Sequence, residues 1–266
     1  MMKETEFCVF CGATPTNIEH VWPKWIGRYL GRTKTRFLNR TSTGTDRMFD
    51  GFSLTDRAKV VCEKTCNGGW MKALEDEASP VLKRMFDEKL SIRLASGDAQ
   101  LSIARWVLKT AMMVQYTQEQ SVIPAPVYKE FFDRQRMPLG CAIFVARHQM
   151  GQMPNGSHSV GWELGGGTSA TPRIPFHGQM YGVTLFIENL VMQVIGYRFD
   201  DEVAVELTVP FPAQFRPYVE RLWPMGFGVD WPPARPSLDD QQLIAFAASV
   251  AEVDRGVTPR TPPEQV

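Results

Sequence analysis

Two cysteine pairs, Cys8-x-x-Cys11 and Cys62-x-x-x-Cys66, bracket the dipeptide Glu19-His20, and Asn67 follows the last cysteine directly. A Cys-x-x-Cys bends the chain so that both sulfurs can face one point. A second pair completes a tetrahedral thiolate set, the geometry that zinc prefers in closed structural sites. The three residues inside the second pair lie within the spacing such sites tolerate. Cys8, Cys11, Cys62 and Cys66 are therefore expected to hold a structural Zn²⁺. The competing readings are disulfides, which need an oxidising compartment, and scattered core cysteines. Cys141 lies in the apolar run 141–146 and is expected to be a buried strand cysteine.

Glu19-His20 can divide the work of hydrolysis. The carboxylate binds a hard divalent cation, and the imidazole takes a proton from water near neutral pH without a large shift of its own pKa. A cation held there stabilises charge on a phosphate and on the leaving oxygen. Asn67 offers a neutral amide oxygen as a further ligand. Each residue also has a plainer use: His20 could pack or cap beside the zinc site, and Asn67 could hold a turn before Gly68-Gly69.

At these residues the sequence resembles the HNH, or ββα-metal, nuclease superfamily, and in particular its zinc-containing four-cysteine branch. The strings Glu19-His20-Val21-Trp22-Pro23-Lys24-Trp25 and Cys66-Asn67-Gly68-Gly69-Trp70-Met71 carry the likeness, which covers about the first 90 residues, with a weaker echo at 104–110. The resemblance implies His20 as general base, Glu19 and Asn67 as ligands of a catalytic Mg²⁺ or Mn²⁺, and DNA as substrate, with RNA left open. Three features depart from the family pattern. Glu19 replaces the usual Asp, Arg57 stands where a middle Asn is common, and Gly68-Gly69 falls where a helix usually begins. Glycine inside a helix costs about 1 kcal/mol per residue.

The chain has 266 residues, with 29 Lys plus Arg against 29 Asp plus Glu, and 44% of its residues are hydrophobic. That suits a globular protein and excludes a uniformly cationic binder. The charge is uneven, however. Lys24, Arg28, Arg32, Lys34, Arg36 and Arg40 fall in a stretch without an acidic residue, beside the presumed cleavage site. They are candidate phosphate contacts, the alternative being a solvated loop. No apolar run reaches the roughly 18 residues of a membrane span, and the N-terminus has no apolar signal core, so a cytoplasmic location with reduced thiols is expected.

The elements that must position these residues read as α+β. A zinc-stapled ββα unit over 1–90 should precede a helical layer and an antiparallel sheet over 91–257, with a disordered tail at 258–266. Within the first unit, a strand over 17–21 carries the dipeptide. A short helix follows Pro23, with Trp22 and Trp25 expected in the core. Residues 31–55 suggest short strands, inserted as a hairpin. A helix over 70–90 should be kinked or broken at Pro80. Beyond it the spacing predicts a buried helix over 101–114 and a short helix after Pro124. Strands are predicted at 140–146, 160–164 and 203–209, a hairpin over 181–199 and a final helix over 238–253. His148, His158 and His177 read as surface or loop histidines. The second region carries no chemistry in its residue types, which leaves recognition, partner binding or self-association as a homodimer. Two rivals to a nuclease follow: a zinc-stabilised nucleic-acid-binding module without catalysis, and an interaction protein whose function lies beyond residue 90.

Overall fold

The computed structural model describes residues 3–31, 35–41, 46–51, 57–87, 92–94, 97–118, 121–149, 151–152, 155–165, 177–199, 206–207, 211–226, 228–249 and 259–260. The first region runs β1 (Lys3–Glu4), β2 (Asn17–His20), α1 (Lys24–Tyr29), β3 (Thr35–Thr41), β4 (Arg47–Gly51) and β5 (Arg57–Val61). A π-helical segment, Glu63–Met71, then leads into α2 (Lys72–Phe86). The second region runs β6 (Ile92–Leu94), α3 (Gly97–Val114), α4 (Ala125–Arg134), β7 (Cys141–Arg147), β8 (Asn155–Gly165), β9 (His177–Ile187) and β10 (Leu190–Phe199). It ends with β11 (Glu206–Leu207), β12 (Val219–Trp223), β13 (Val229–Trp231), α5 (Asp240–Ala248) and β14 (Pro259–Arg260). The chain is thus α+β.

β5 lies between β1 and β2 in a small sheet, and β2 runs antiparallel to β5. A seven-stranded sheet in the order β12-β7-β10-β9-β8-β3-β4 forms the centre of the molecule. Its pairings are antiparallel except β3 with β8, which is parallel. The hairpin expected over 31–55 is present as β3–β4, and it crosses the 90/91 boundary by joining the large sheet. Gly156 makes that approach feasible, because a Cβ there would lie 1.9 Å from the carbonyl oxygen of Leu38. Side chains add to the junction. Asn39 Nδ2 donates to Thr117 Oγ1 at 2.8 Å, and Ser157 Oγ donates to Asn39 Oδ1 at 2.9 Å.

Strand periodicity divides the sheet into two faces. Ile143 and Val145 of β7 and Met192 and Val194 of β10 enter the main core with α2 and α3, while Ala146 and Val191 face a smaller core under α5. α3 is the central helix, and its buried side chains include Ile103, Trp106, Val107, Leu108, Ala111 and Met112. A capping box starts α5: Asp239 accepts from the Gln242 N–H, and Gln242 Oε1 accepts from the Asp239 N–H.

Two expectations need correction. α2 continues through Pro80 without interruption. Pro80 is on the exposed side, and burial of Leu74, Ala78, Leu82 and Met85 on the other side offsets the lost hydrogen bond. His148 and His158 are buried rather than superficial. His148 Nε2 lies 2.9 Å from Asp240 Oδ1 and ties the end of β7 to α5. His158 sits in β8 with the Ala247 carbonyl as a partner. Of the tail 258–266, Pro259–Arg260 pair with Glu206–Leu207, and its other residues lie outside the described set. Residues 165–170, Gly-Gly-Gly-Thr-Ser-Ala, read as a loop in the sequence, but beyond Gly165 they lie outside the described set, as does the part of the final helix after Ser249. No helix among the described residues is long and apolar enough to cross a membrane.

Candidate metal centre and active site

The two knuckles meet because β5 delivers Cys62 beside the turn at 8–11. The Val9 N–H donates to the Val60 carbonyl at 3.0 Å, and the Gly12 N–H to the Cys8 carbonyl at 2.9 Å. Gly12 takes φ +73, a left-handed conformation that glycine adopts without steric cost. Thr16 secures the other side: its N–H donates to the Val61 carbonyl at 3.2 Å, and its Oγ1 accepts from the Glu63 N–H at 3.0 Å. An aromatic group backs the cluster. Phe10 and Trp70 meet edge to face with centroids 5.0 Å apart, and Trp70 meets Phe131 of α4 at 5.6 Å.

The four sulfurs all lie within 4.8 Å of one another. Cys8 Sγ to Cys66 Sγ is 3.6 Å, and Cys11 Sγ to Cys62 Sγ is 3.4 Å. A disulfide needs about 2.05 Å, and all five cysteines are free thiols. Four sulfurs each about 2.3 Å from one zinc would stand about 3.8 Å apart, close to what is seen. These residues could therefore hold a metal ion. The hydrogen bond between Cys8 and Cys66 pulls the Cys8 thiol down to about 4 and pushes Cys66 up. Burial raises Cys11. Cys141 is buried in β7 away from this cluster, and burial pushes its thiol up to about 12.

The segment after Cys62 is a π-helical turn, in which the Asn67 N–H reaches back to the Cys62 carbonyl at 3.0 Å. Gly69 leaves helical geometry at φ −96, ψ −113. A Cβ on Gly69 would lie 2.8 Å from the Lys64 carbonyl oxygen, and one on Gly68 would lie 3.1 Å from that of Glu63. The two glycines therefore sit where the backbone folds tightly against itself, ahead of α2, and the penalty for glycine in a regular helix does not apply. Wide turns of this kind are frequent at functional sites.

Glu19, His20 and Asn67 open on one cleft of about 420 Å³, which Lys24, Trp25, Arg28, Glu63, Met71, Lys72 and Glu75 also line. β2 inverts the usual burial pattern: Ile18 is 36% exposed, while Glu19 is 6% exposed. The reason lies beneath the cleft. Lys109 of α3 is wholly buried, and its Nζ stands 2.9 Å from Glu75 Oε1 and 3.6 Å from Glu19 Oε1. Burial pushes the Glu19 carboxyl up to about 7, and Glu75 adds to that rise while Lys109 opposes it. Burial alone would lower Lys109, but Glu75 and Glu19 together hold it above its ordinary value. One ammonium facing two carboxylates leaves a net charge of +1 − 2 = −1 when all are ionised. A proton on Glu19 relieves that excess near neutrality, and a divalent cation in the cleft would relieve it instead.

The basic stretch divides. Lys24 and Arg28 are exposed along the cleft. Arg40 lies on β3, where Nε and Nη2 donate to the two carboxylate oxygens of Asp46 at 2.7 and 2.6 Å. Arg36 is on β3, but its side chain lies outside the described set, as do Arg32 and Lys34 entirely. Trp22 is in the core, stacked on Phe37, as expected. Trp25 also packs against the core, partly buried, and in addition lines the cleft, with Lys83 Nζ 5.5 Å from its ring centroid. One site residue escaped sequence reasoning: the signal for Lys109 is a lysine within the apolar helical run 101–114. Glu75, like Glu77, reads as a candidate extra metal ligand, with solvated helix charge as the commoner use. No known protein family, curated protein or solved structure matches the chain.

Proposed function

We propose that the chain is a metal-dependent endonuclease of the HNH type, which hydrolyses DNA phosphodiester bonds and carries a structural zinc in its four-cysteine cluster. The observation that carries this reading is the opening of Glu19, His20 and Asn67, from two separate segments, on one cleft beside that cluster. The antiparallel pairing of β2 with β5, followed in the chain by α2, supports a ββα unit. In this reading Glu19 and Asn67 hold Mg²⁺ or Mn²⁺, and the excess negative charge around Lys109 suits a cation there. Once bound, the ion supplies Lewis acidity toward a phosphate oxygen. His20 takes the proton from the attacking water, and the product carries a 5′-phosphate. Lys24 and Arg28 hold the flanking phosphates, which makes binding sensitive to salt. Free thiols at all five cysteines suit a reducing, cytoplasmic setting.

Incubating supercoiled plasmid with the protein and Mg²⁺ or Mn²⁺, beside a His20→Ala control, tests this. The parent should nick or linearise the plasmid, and His20→Ala should lower the rate by about 10²- to 10⁴-fold. Equal cleavage by both proteins would remove His20 as the base. The ion pair between Glu19 and Lys109 favours a second reading, a nucleic-acid-binding module without catalysis. That reading wins if the parent shifts DNA on a gel and leaves it intact with either cation.

A further inference from the structure

We infer that Lys109 is a positioning residue for the Glu19 and Glu75 carboxylates, so that α3 of the second region completes the cleft. The inference rests on the cleft being the nuclease site proposed above. Three observations carry it. First, Lys109 is wholly buried in α3, where an ammonium loses its hydration. A well-packed apolar side chain usually serves a core as well as a buried ion pair or better, so folding alone does not call for a lysine there. Second, both of its carboxylate partners, Glu19 on β2 and Glu75 on α2, line the cleft, while Lys109 itself does not. Third, its Nζ stands 3.6 Å from Glu19 Oε1 and 2.9 Å from Glu75 Oε1, so one ammonium is within ion-pair reach of both carboxylates at once.

An ammonium in this place fixes the carboxylates from behind without touching substrate. It joins the two elements that carry the cleft to a helix packed on the central sheet. Residues past 90 thereby gain a role in the chemistry that their types do not announce.

The test uses the full-length protein and its Lys109→Met and Lys109→Arg variants. Mn²⁺ affinity is read by electron paramagnetic resonance, cleavage kinetics on a duplex oligonucleotide, and metal content at the cysteine cluster as the check on folding. Lys109→Met should keep its cluster metal and its KM for DNA, while kcat and Mn²⁺ affinity each fall about 10- to 100-fold. Lys109→Arg should recover part of both. A folded Lys109→Met whose kcat and Mn²⁺ affinity stay within about twofold of the parent overturns the inference and leaves the nuclease reading standing. If Lys109→Met does not fold, Glu75→Gln decides. That variant removes one anchor of the ammonium at nearly constant shape, and its Mn²⁺ affinity should fall about tenfold; no change overturns the inference. A parent that binds Mn²⁺ without cutting DNA sinks the nuclease reading alone, and the affinity ratios still decide the role of Lys109. A parent that neither cuts nor binds Mn²⁺ overturns both.

Discussion

Stripping the metal from the Cys8, Cys11, Cys62 and Cys66 cluster should lower the melting temperature by roughly 8–16 °C. The size follows from the loop the cluster closes. Cys11 and Cys62 are 51 residues apart in sequence, and Cys8 and Cys66 are 58 apart. Fixing the ends of a loop of that length removes chain entropy from the unfolded state worth about 4 kcal/mol. The two loops nearly coincide, so the second adds little. For a chain of this size each kcal/mol moves the midpoint by roughly 2–4 °C. The assay is thermal unfolding by circular dichroism, before and after a zinc chelator, with metal content by mass spectrometry. Cys66→Ser should melt like the chelated parent, and adding Cys11→Ser should lower it little further, because the site needs all four sulfurs. A reducing agent without chelator should change nothing. The reasoning fails if the chelated protein melts within about 2 °C of the parent, if metal is well below one ion per chain, or if reduction alone destabilises the fold.

Three further outcomes are expected. The Glu19 carboxyl, raised to about 7 by burial, must lose its proton to bind a cation. Mn²⁺ affinity should therefore climb by about tenfold per pH unit below that value and level off above it, and Glu19→Gln should abolish both the affinity and its pH dependence in a titration. Burial holds His158 below its ordinary value of 6.5. Its contribution to stability is therefore present above 6.5 and is lost as pH falls through the lower folded-state value. Denaturant midpoints should show that slope in the parent and a flatter one in His158→Gln; parallel slopes would refute it. Gly69→Ala should cost about 1–3 kcal/mol, since its Cβ meets the Lys64 carbonyl oxygen and the backbone must shift. An unchanged melting temperature would contradict the tight turn after Asn67.

Features set by local physics were legible in the sequence. Apolar spacing placed α1 and α3, Pro124 marked the start of α4, and two short cysteine pairs were enough to foresee four sulfurs near one point. Turn residues at 188–189 foretold the β9–β10 hairpin. What stayed hidden depends on partners distant in sequence. Nothing near 35–41 reveals that β3 will lie parallel to β8, because the permission comes from a glycine at 156. Pro80 read as a break because the apolar side that carries α2 through it is rewarded only once α3 packs there. Arg40 read as a phosphate contact because Asp46, its partner, lies six residues on, past the end of the stretch without acidic residues. His148 looked superficial because Asp240, its partner, is 92 residues away.

The same distinction explains Glu19, the departure from the aspartate usual in the resembled family, and it leads to a last prediction. A glutamate on β2 has the length to line the cleft while its Oε1 stands 3.6 Å from the Lys109 ammonium. Glu19→Asp keeps the charge but withdraws the carboxylate by about 1.5 Å, the length of one carbon–carbon bond. The gap to Lys109 then opens to about 5 Å, past the roughly 4 Å of an ion-pair contact, and the ammonium is left to Glu75 alone. If the carboxylate acts only as a ligand, aspartate should serve as well or better. If it must also be anchored from beneath, Glu19→Asp should lower kcat and Mn²⁺ affinity about 10- to 100-fold, with the cluster metal retained. Cleavage by Glu19→Asp at or above the parental rate would show that the glutamate is incidental to the anchoring. A loss in Glu19→Asp that is not deepened by adding Lys109→Met would show instead that the two side chains act as one unit.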